Sequence, residues 1–264
     1  VSHPVYGRFQ VAEKPRFGSL FHRDQIPVTY RTVYHEPLNG VLDQSDLIAQ
    51  GIHTSQFIPG CKTDADALGS CTANGGTAHL STVITSAAFF AWTKTSSYDD
   101  VVAIEKNAIE FYHADTMLSG NPSTEWPPTD CGSSGPYVFE LAQKLGLVTN
   151  ETVVSDADGI VSLLQTGTLA VGQPFFNAWE SPDNSGFIDD AGIRGAVASG
   201  VAGGHETCWW GVEPRMKGNS LDLEKTVIWA RNSWGSAWGD KGNYCFRLAT
   251  FIPILQYCDI RQFI

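Results

Sequence analysis

The feature that most limits how this chain can fold is a change of hydrophobic period near residue 168. Upstream of it, apolar residues recur at three- and four-residue steps. Ala73, Ala78, Leu80, Val83, Ile84, Ala87 and Phe90 trace one face of a helix that starts at or just after Cys71. Tyr98 to His113 reads as a second helix, with Asp99 and Asp100 in its first turn, where negative charge suits the helix dipole. Pro136 to Leu145 reads as a third, ended by Gly146, and Val161 to Leu164 as a short fourth. Downstream come short runs rich in β-branched and aromatic residues, bounded by Gly, Pro, Asn or Asp. They are Thr168 to Val171, Gln173 to Trp179, Glu206 to Val212, Thr226 to Arg231 and Asn243 to Leu248. Helices first and strands afterwards indicate α+β architecture with a helical lobe and a β lobe, not alternating βαβ units.

Charge and composition exclude several kinds of function. With 28 acidic and 17 basic residues the net charge is -11. Such a surface repels phosphate backbones and anionic headgroups, so neither nucleic acid nor a basic-patch membrane contact is expected. The longest apolar-rich region, Ala87 to Trp92, is far short of the roughly 20 residues a spanning helix needs. The N-terminal residues lack the basic start and apolar middle of a signal peptide. Asn150-Glu-Thr152 is a glycosylation sequon, meaningful only in a glycosylating compartment.

The cysteines at 61, 71, 131, 208, 245 and 258 contain no C-x-x-C. His205 and Cys208 make an H-x-x-C pair that Cys131 or Cys245 could complete as a zinc site, but buried small hydrophobes are the commoner fate of free cysteines. No metal and no cofactor is expected. No Gly-rich phosphate loop occurs, and Gly235-Ser-Ala-Trp-Gly239 has Ala where a serine-hydrolase elbow needs its nucleophile.

Three segments carry residues able to do chemistry. Leu68-Gly-Ser-Cys-Thr-Ala-Asn74 puts Cys71 at a helix N-terminus, where unpaired N–H groups and the dipole favour a thiolate. Gly203-Gly-His-Glu-Thr-Cys208 places His205 after two glycines at the start of a strand. Glu206 points to the opposite face of that strand and is a poor orienting partner for it. Ala230-Arg-Asn-Ser-Trp-Gly235 follows an apolar strand. There Asn232 could accept the imidazole N–H and Trp234 could shield that bond from water. The order Cys, His, Asn, with gaps of 134 and 27 residues, suits a nucleophile, base and orienting residue.

Together these segments resemble the papain family of cysteine peptidases. N-S-W-G-x-x-W-G-x-x-G, complete from Asn232 to Gly242, is similar to that family's asparagine loop. Gly203 to His205 resembles its histidine strand, Gly69 to Cys71 its nucleophile turn, and Asp130 to Gly135 its substrate-cleft loop. Gly172 to Trp179 resembles the strand opening its β lobe. The likeness runs from about residue 64 to the end and looks closest to the bacterial and phage branch, where G-S-C-T-A-N replaces G-S-C-W. It implies a papain-like two-lobe fold with the cleft between a helical and an antiparallel β lobe. An extended arm over 1–63 would precede a helical lobe over 64–167 and a β lobe over 168–264. It further implies peptide-bond hydrolysis by Cys71, His205 and Asn232, with Ser133, Ser134 and Gly135 pairing with the substrate backbone. A bacterial cytoplasm or a phage virion would be the setting, with a protein or peptide as substrate.

One departure bears on activity. The family carries a Gln six residues before the nucleophile, often as D-Q-G-x-L-G-S-C, and its amide joins the Cys backbone N–H in the oxyanion hole. That position here is Ala65, within Asp64-Ala-Asp-Ala-Leu68. Gln56 could replace it only if the intervening loop folds back. The family's disulfide cysteine three residues before the nucleophile is Leu68 here. Two functions are therefore expected from the sequence: an active peptidase, or a papain-fold protein kept for binding or assembly with a protein partner.

Overall fold

A computed structural model describes residues 30–188 and 192–264. The first part of the expected N-terminal arm, residues 1–29, lies outside them. Residues 30–63 are mostly irregular, with one two-residue strand, β1 (Val33–Tyr34).

The helices are α1 (Cys71–Val83), α2 (Ser86–Thr93), α3 (Val101–Met117), α4 (Gly135–Lys144), α5 (Ala157–Leu164), α6 (Gly192–Ser199) and the short α7 (Leu248–Phe251). The apolar period that runs to Phe90 spans two helices. Thr85 adopts an extended backbone and its hydroxyl accepts the Ala88 N–H, which stops α1 and caps α2.

The remaining strands are β2 (Glu151–Val154), β3 (Leu169–Phe176), β4 (Val201–Glu213), β5 (Met216–Lys217), β6 (Ser220–Leu221), β7 (Val227–Arg231), β8 (Asn243–Arg247) and β9 (Asp259–Phe263). Strands β2-β9-β3-β4-β7-β8 lie in that order in one sheet, and β1 pairs with β4 beyond the end of β3. Every pair is antiparallel. The runs Thr168 to Val171 and Gln173 to Trp179 merge into the one strand β3, Leu169–Phe176, because Gly172 stays in register with both neighbours, and the expected strand stops short of Trp179, since Asn177–Trp179 turn into a 3-10 helix. Strand β9 shows no apolar alternation since its buried Arg261 is satisfied by ion pairs to Asp259 and Glu151.

One apolar cluster lies on the sheet side, around Trp179, Trp209, Tyr244, Phe246 and Phe251. Another lies on the helical side, around Leu68, Leu80, Ile109, Phe111 and Val138. Helix α1 runs between sheet and helices, and two glycines let it in. A Cβ at Gly75 would stand 3.3 Å from the Glu206 carbonyl of β4. One at Gly76 would stand 2.5 Å from Val138 of α4. This close seating brings the start of α1, where Cys71 sits, to the sheet at the His205 end of β4. Among the described residues no helix is long and apolar enough to cross a membrane.

Candidate active site

His205 lies in β4 and Asn232 directly follows β7, the neighbouring strand. The His205 Nε2 to Asn232 Oδ1 distance is 2.6 Å. Asn232 Oδ1 also accepts the Ser233 backbone N–H at 2.8 Å, which fixes the oxygen end of the amide toward the ring. Nε2 therefore carries the proton, and Nδ1 is left as the basic nitrogen. Trp234 stacks on the imidazole at 4.8 Å between centroids, and Phe175 packs edge-on at 5.1 Å. Both rings thus pack against the imidazole that makes the His–Asn bond. Burial pushes the His205 imidazole down to about 4, against the smaller raising effect of Asn232. A protonated ring here therefore needs an anion beside it.

Arg231 anchors the loop from behind. Its Nε donates to Asn243 Oδ1 at 3.0 Å, and its Nη1 donates to the Leu38 carbonyl and, at 3.3 Å, to the Pro37 carbonyl. The upstream segment then pairs with the asparagine loop. Asp43 bridges Trp234, the Gln44 N–H donates to the Ser233 carbonyl at 3.1 Å, and the Gly235 N–H donates to the Leu42 carbonyl at 3.2 Å. Gly235 has φ +73, and a Cβ there would collide with the Asp43 carboxylate, so this loop position requires glycine.

Gln44 is the residue that sequence reasoning missed. It is fully buried. Its Oε1 accepts the Ser233 hydroxyl at 2.5 Å, and its Nε2 donates to the Leu68 carbonyl at 2.9 Å, 24 positions on in sequence. The backbone closes the same gap, since the Leu68 N–H donates to the Gln44 carbonyl at 3.0 Å. Residues 45–67 are thus an insert between Gln44 and the nucleophile turn. The insert holds itself together. Asp64 accepts both the Ser55 N–H and hydroxyl and pairs with His53 at 2.8 Å, while Leu47, Ile52 and Ile58 are buried beneath. Ala65 belongs to the insert, donating its N–H to Thr54 Oγ1, and Gln56 is exposed on it. A signal was present in the sequence: Asp43-Gln44 and Leu68-Gly-Ser-Cys71, read together, resemble the D-Q-G-x-L-G-S-C pattern with residues 45–67 between its parts.

Cys71 is buried as the first residue of α1. Asp130 ties the expected cleft loop to the nucleophile turn. Its Oδ2 accepts the Gly69 N–H at 2.7 Å and its Oδ1 accepts the Tyr112 hydroxyl at 2.5 Å. The Tyr112 oxygen in turn accepts the Gly132 N–H at 3.0 Å. Ser133 and Ser134 follow, both buried, and Gly135 opens α4. Behind α1, the fully buried Glu105 accepts Asn74 Nδ2 at 2.9 and 2.7 Å on its two oxygens and also accepts the Asp43 N–H. Burial raises its carboxyl to about 7 despite these donors.

None of the six cysteines is in a disulfide. Among the described residues no three His, Cys, Asp or Glu side chains are grouped to hold a metal, so His205 and Cys208 do not form a zinc site with Cys131 or Cys245. Burial pushes the Cys208 thiol up to about 12.

No family model matches the chain, and no curated protein matches it by sequence. Solved structures do. Xylellain, a cysteine protease from Xylella fastidiosa, superposes with a TM-score of 0.60 over 98% of this chain and 95% of that one, at 15% identity. The fold is papain-like. A bromelain protease from Ananas comosus, solved with an inhibitor bound, matches at a TM-score of 0.43 and 12% identity, over 89% of this chain and 99% of that one. The papain-like fold agrees with the α+β expectation, mixed helices packed on an antiparallel sheet.

Proposed function

We propose that the chain is a cysteine peptidase that hydrolyses peptide bonds through Cys71, His205 and Asn232. The observation that carries this reading is Gln44, a buried side-chain amide oriented by Ser233 and bonded to Leu68, three residues before the nucleophile. Ala65 stands where the family's oxyanion glutamine is expected, and Gln44, brought beside Leu68 from 24 positions upstream, supports an amide donor there in its place. The neighbour's description as a cysteine protease agrees with this reading.

In the mechanism, the Cys71 thiolate is favoured by the N-terminus of α1 and supplies the anion that a protonated His205 needs. Sγ attacks the carbonyl carbon, and the π pair moves onto oxygen. The Cys71 backbone N–H and Gln44 Nε2 donate to that oxyanion. As the C–N bond breaks, His205 gives its Nδ1 proton to the leaving amine, and a thioester remains. Water then attacks while His205 takes its proton. The C–S bond breaks, the acid product leaves and the thiolate returns. Asn232 holds the ring in the tautomer both steps require. Ser133, Ser134 and Gly135, fastened to the nucleophile turn through Asp130, would pair with the substrate backbone.

The test is labelling with a thiol-directed peptidase inhibitor across pH, with the modified residue located by mass spectrometry. Selective modification of Cys71 at mildly acidic pH, lost in His205→Ala, is the expected result. If Cys71 reacts no faster than an ordinary thiol, the peptidase reading is wrong.

A further inference from the structure

Two buried side-chain amides behind the site each use one end and leave the other unpaired. Asn232 Oδ1 faces His205 Nε2 at 2.6 Å and accepts the Ser233 N–H at 2.8 Å. Its NH2 end is thereby turned away from the ring, and among the described residues no acceptor meets Asn232 Nδ2. Asn74, on α1, is held the opposite way. Its Nδ2 donates to both oxygens of Glu105, at 2.9 and 2.7 Å. An amide oxygen turned to that carboxyl would set lone pair against lone pair, so the oxygen end is the free one. Among the described residues Asn74 Oδ1 meets no donor. Asn74 is 1% exposed and Asn232 2%, so bulk water does not satisfy either group. One side chain has spare donors and the other a spare acceptor.

Both residues line one small cavity, together with Leu42, Ala78 of α1 and Glu206 of β4. About 10 Å³ of it is open to the centre of a water-sized sphere, close to the least that one water requires. Buried amide atoms in folded proteins are paired, with protein or with ordered water. Water is the ligand that matches this wall, because one molecule accepts from Asn232 Nδ2 and donates to Asn74 Oδ1 at the same time. Its second hydrogen has an acceptor on the same wall. Glu206 is 1% exposed, and among the described residues neither of its oxygens accepts a hydrogen bond, whereas Glu105 accepts on both. A purely apolar cavity of this size would stay dry, and this one has polar groups of both kinds.

We propose that this cavity binds one water molecule, through which Asn74 acts as a positioning residue for Asn232. The positioning role rests on the peptidase reading above, and the water site does not. The contacts run from Glu105 through Asn74 and the water to Asn232 and His205. Glu105 anchors the far end, because it also accepts the Asp43 N–H, and Asp43 pairs with Trp234, the ring stacked on His205. No proton moves along this line. Its task is to fix an orientation. Asn232 must keep its oxygen toward Nε2 for Nδ1 to remain the basic nitrogen. The Ser233 N–H holds the oxygen end, and the water holds the NH2 end. A flip of the amide would lose both contacts and turn N–H groups toward the imidazole N–H, so the two ends resist the flip together.

The experiment uses the full chain. A high-resolution crystal structure should show one ordered water within hydrogen-bonding distance of both Asn74 Oδ1 and Asn232 Nδ2. Ala78→Val extends the side chain on the cavity wall and keeps both amides, so it should displace that water. Its kcat on a cleavable peptide should fall about tenfold with KM little changed. The His205 Nε2 proton, followed by NMR, should exchange with solvent faster than in the wild type, which a loss of folded protein alone would not produce. If Ala78→Val does not fold, Asn74→Leu removes the acceptor at similar volume and should give the same two changes. A dry cavity, or a direct bond between the two amides, overturns the inference and leaves the peptidase reading standing. So does loss of the water with kcat and proton exchange unchanged. No cleavage of any peptide, with no selective labelling of Cys71, overturns the peptidase reading and the positioning role with it, while the crystal structure still decides the water site.

Discussion

His205 and Asn232 reach the site from adjacent strands of one sheet, whereas Gln44 and Cys71 reach it from separate stretches of chain held together through Leu68 and Ser233. On the strand side, the β4–β7 ladder sets the distance between the two residues, and each needs only its immediate neighbours. The motif is accordingly compact, and Ser233, Trp234 and Gly235 each have a visible task in it. On the helix side, the geometry depends on a bridge between residues 42–44 and the asparagine loop, and on α1 lying close to β4. Residues 45–67 leave and return between Gln44 and Leu68, which stay bonded to each other across them. Conserving a contact in space does not require conserving a spacing in sequence.

Substitutions can break that comparison at several levels. Cys71→Ala sets the scale, with a loss of at least about a thousandfold in kcat/KM on a cleavable peptide. Gln44→Ala comes next. Its loss of an oxyanion donor should lower kcat by about 100- to 1000-fold with KM little changed. Adding Ala65→Gln to that variant should restore nothing, because residue 65 belongs to the insert. Restoration would show that spacing, not the Leu68 and Ser233 contacts, places the donor. On the strand side, Asn232→Ala should cost about a hundredfold through a misoriented imidazole. Its pH–rate profile should change shape, which a purely structural loss would not produce.

Smaller effects are expected in stability. Glu105, raised to about 7 by burial, contributes stability that is fully present below its ordinary value near 4.5 and is lost as pH rises through 7. His79 and His205, pushed down to about 3 and about 4 by burial, contribute in the opposite sense. Their stability is present above about 6.5 and is lost as pH falls toward those values. Urea midpoints from pH 4 to 8 should therefore pass through a maximum, and Glu105→Gln should flatten its alkaline side. The smallest effect on rate belongs to the insert. Asp64→Asn weakens the contacts to Ser55 and His53 and should leave kcat/KM within about threefold of wild type. A larger loss would mean that the insert takes part in the reaction.

Much of the strand side was legible from the amino acids alone. The asparagine loop carries its own hydrogen-bond logic, and β-branched runs with turn residues at their ends marked β3, β4, β7 and β8. The start of α1 at Cys71 was legible from apolar period. Strands β2 and β9 were not, because ion pairs between Glu151, Asp259 and Arg261 replace the alternation of apolar residues that identifies a strand. Gln44 was hidden because a pattern read at fixed spacing stops at Ala65.

What the sequence by itself determined is therefore the set of local, contiguous features: helices before strands, a cysteine at a helix start, and a histidine and an asparagine on consecutive sheet elements. These follow from backbone periodicity and from neighbours a few residues away. Only the tertiary structure decided which glutamine stands beside the nucleophile turn, and which buried glutamate has donors and which has none. Those outcomes depend on close approach between segments far apart in the chain. Whether a buried polar group is satisfied depends on every element packed around it, and no local run of residues contains that information.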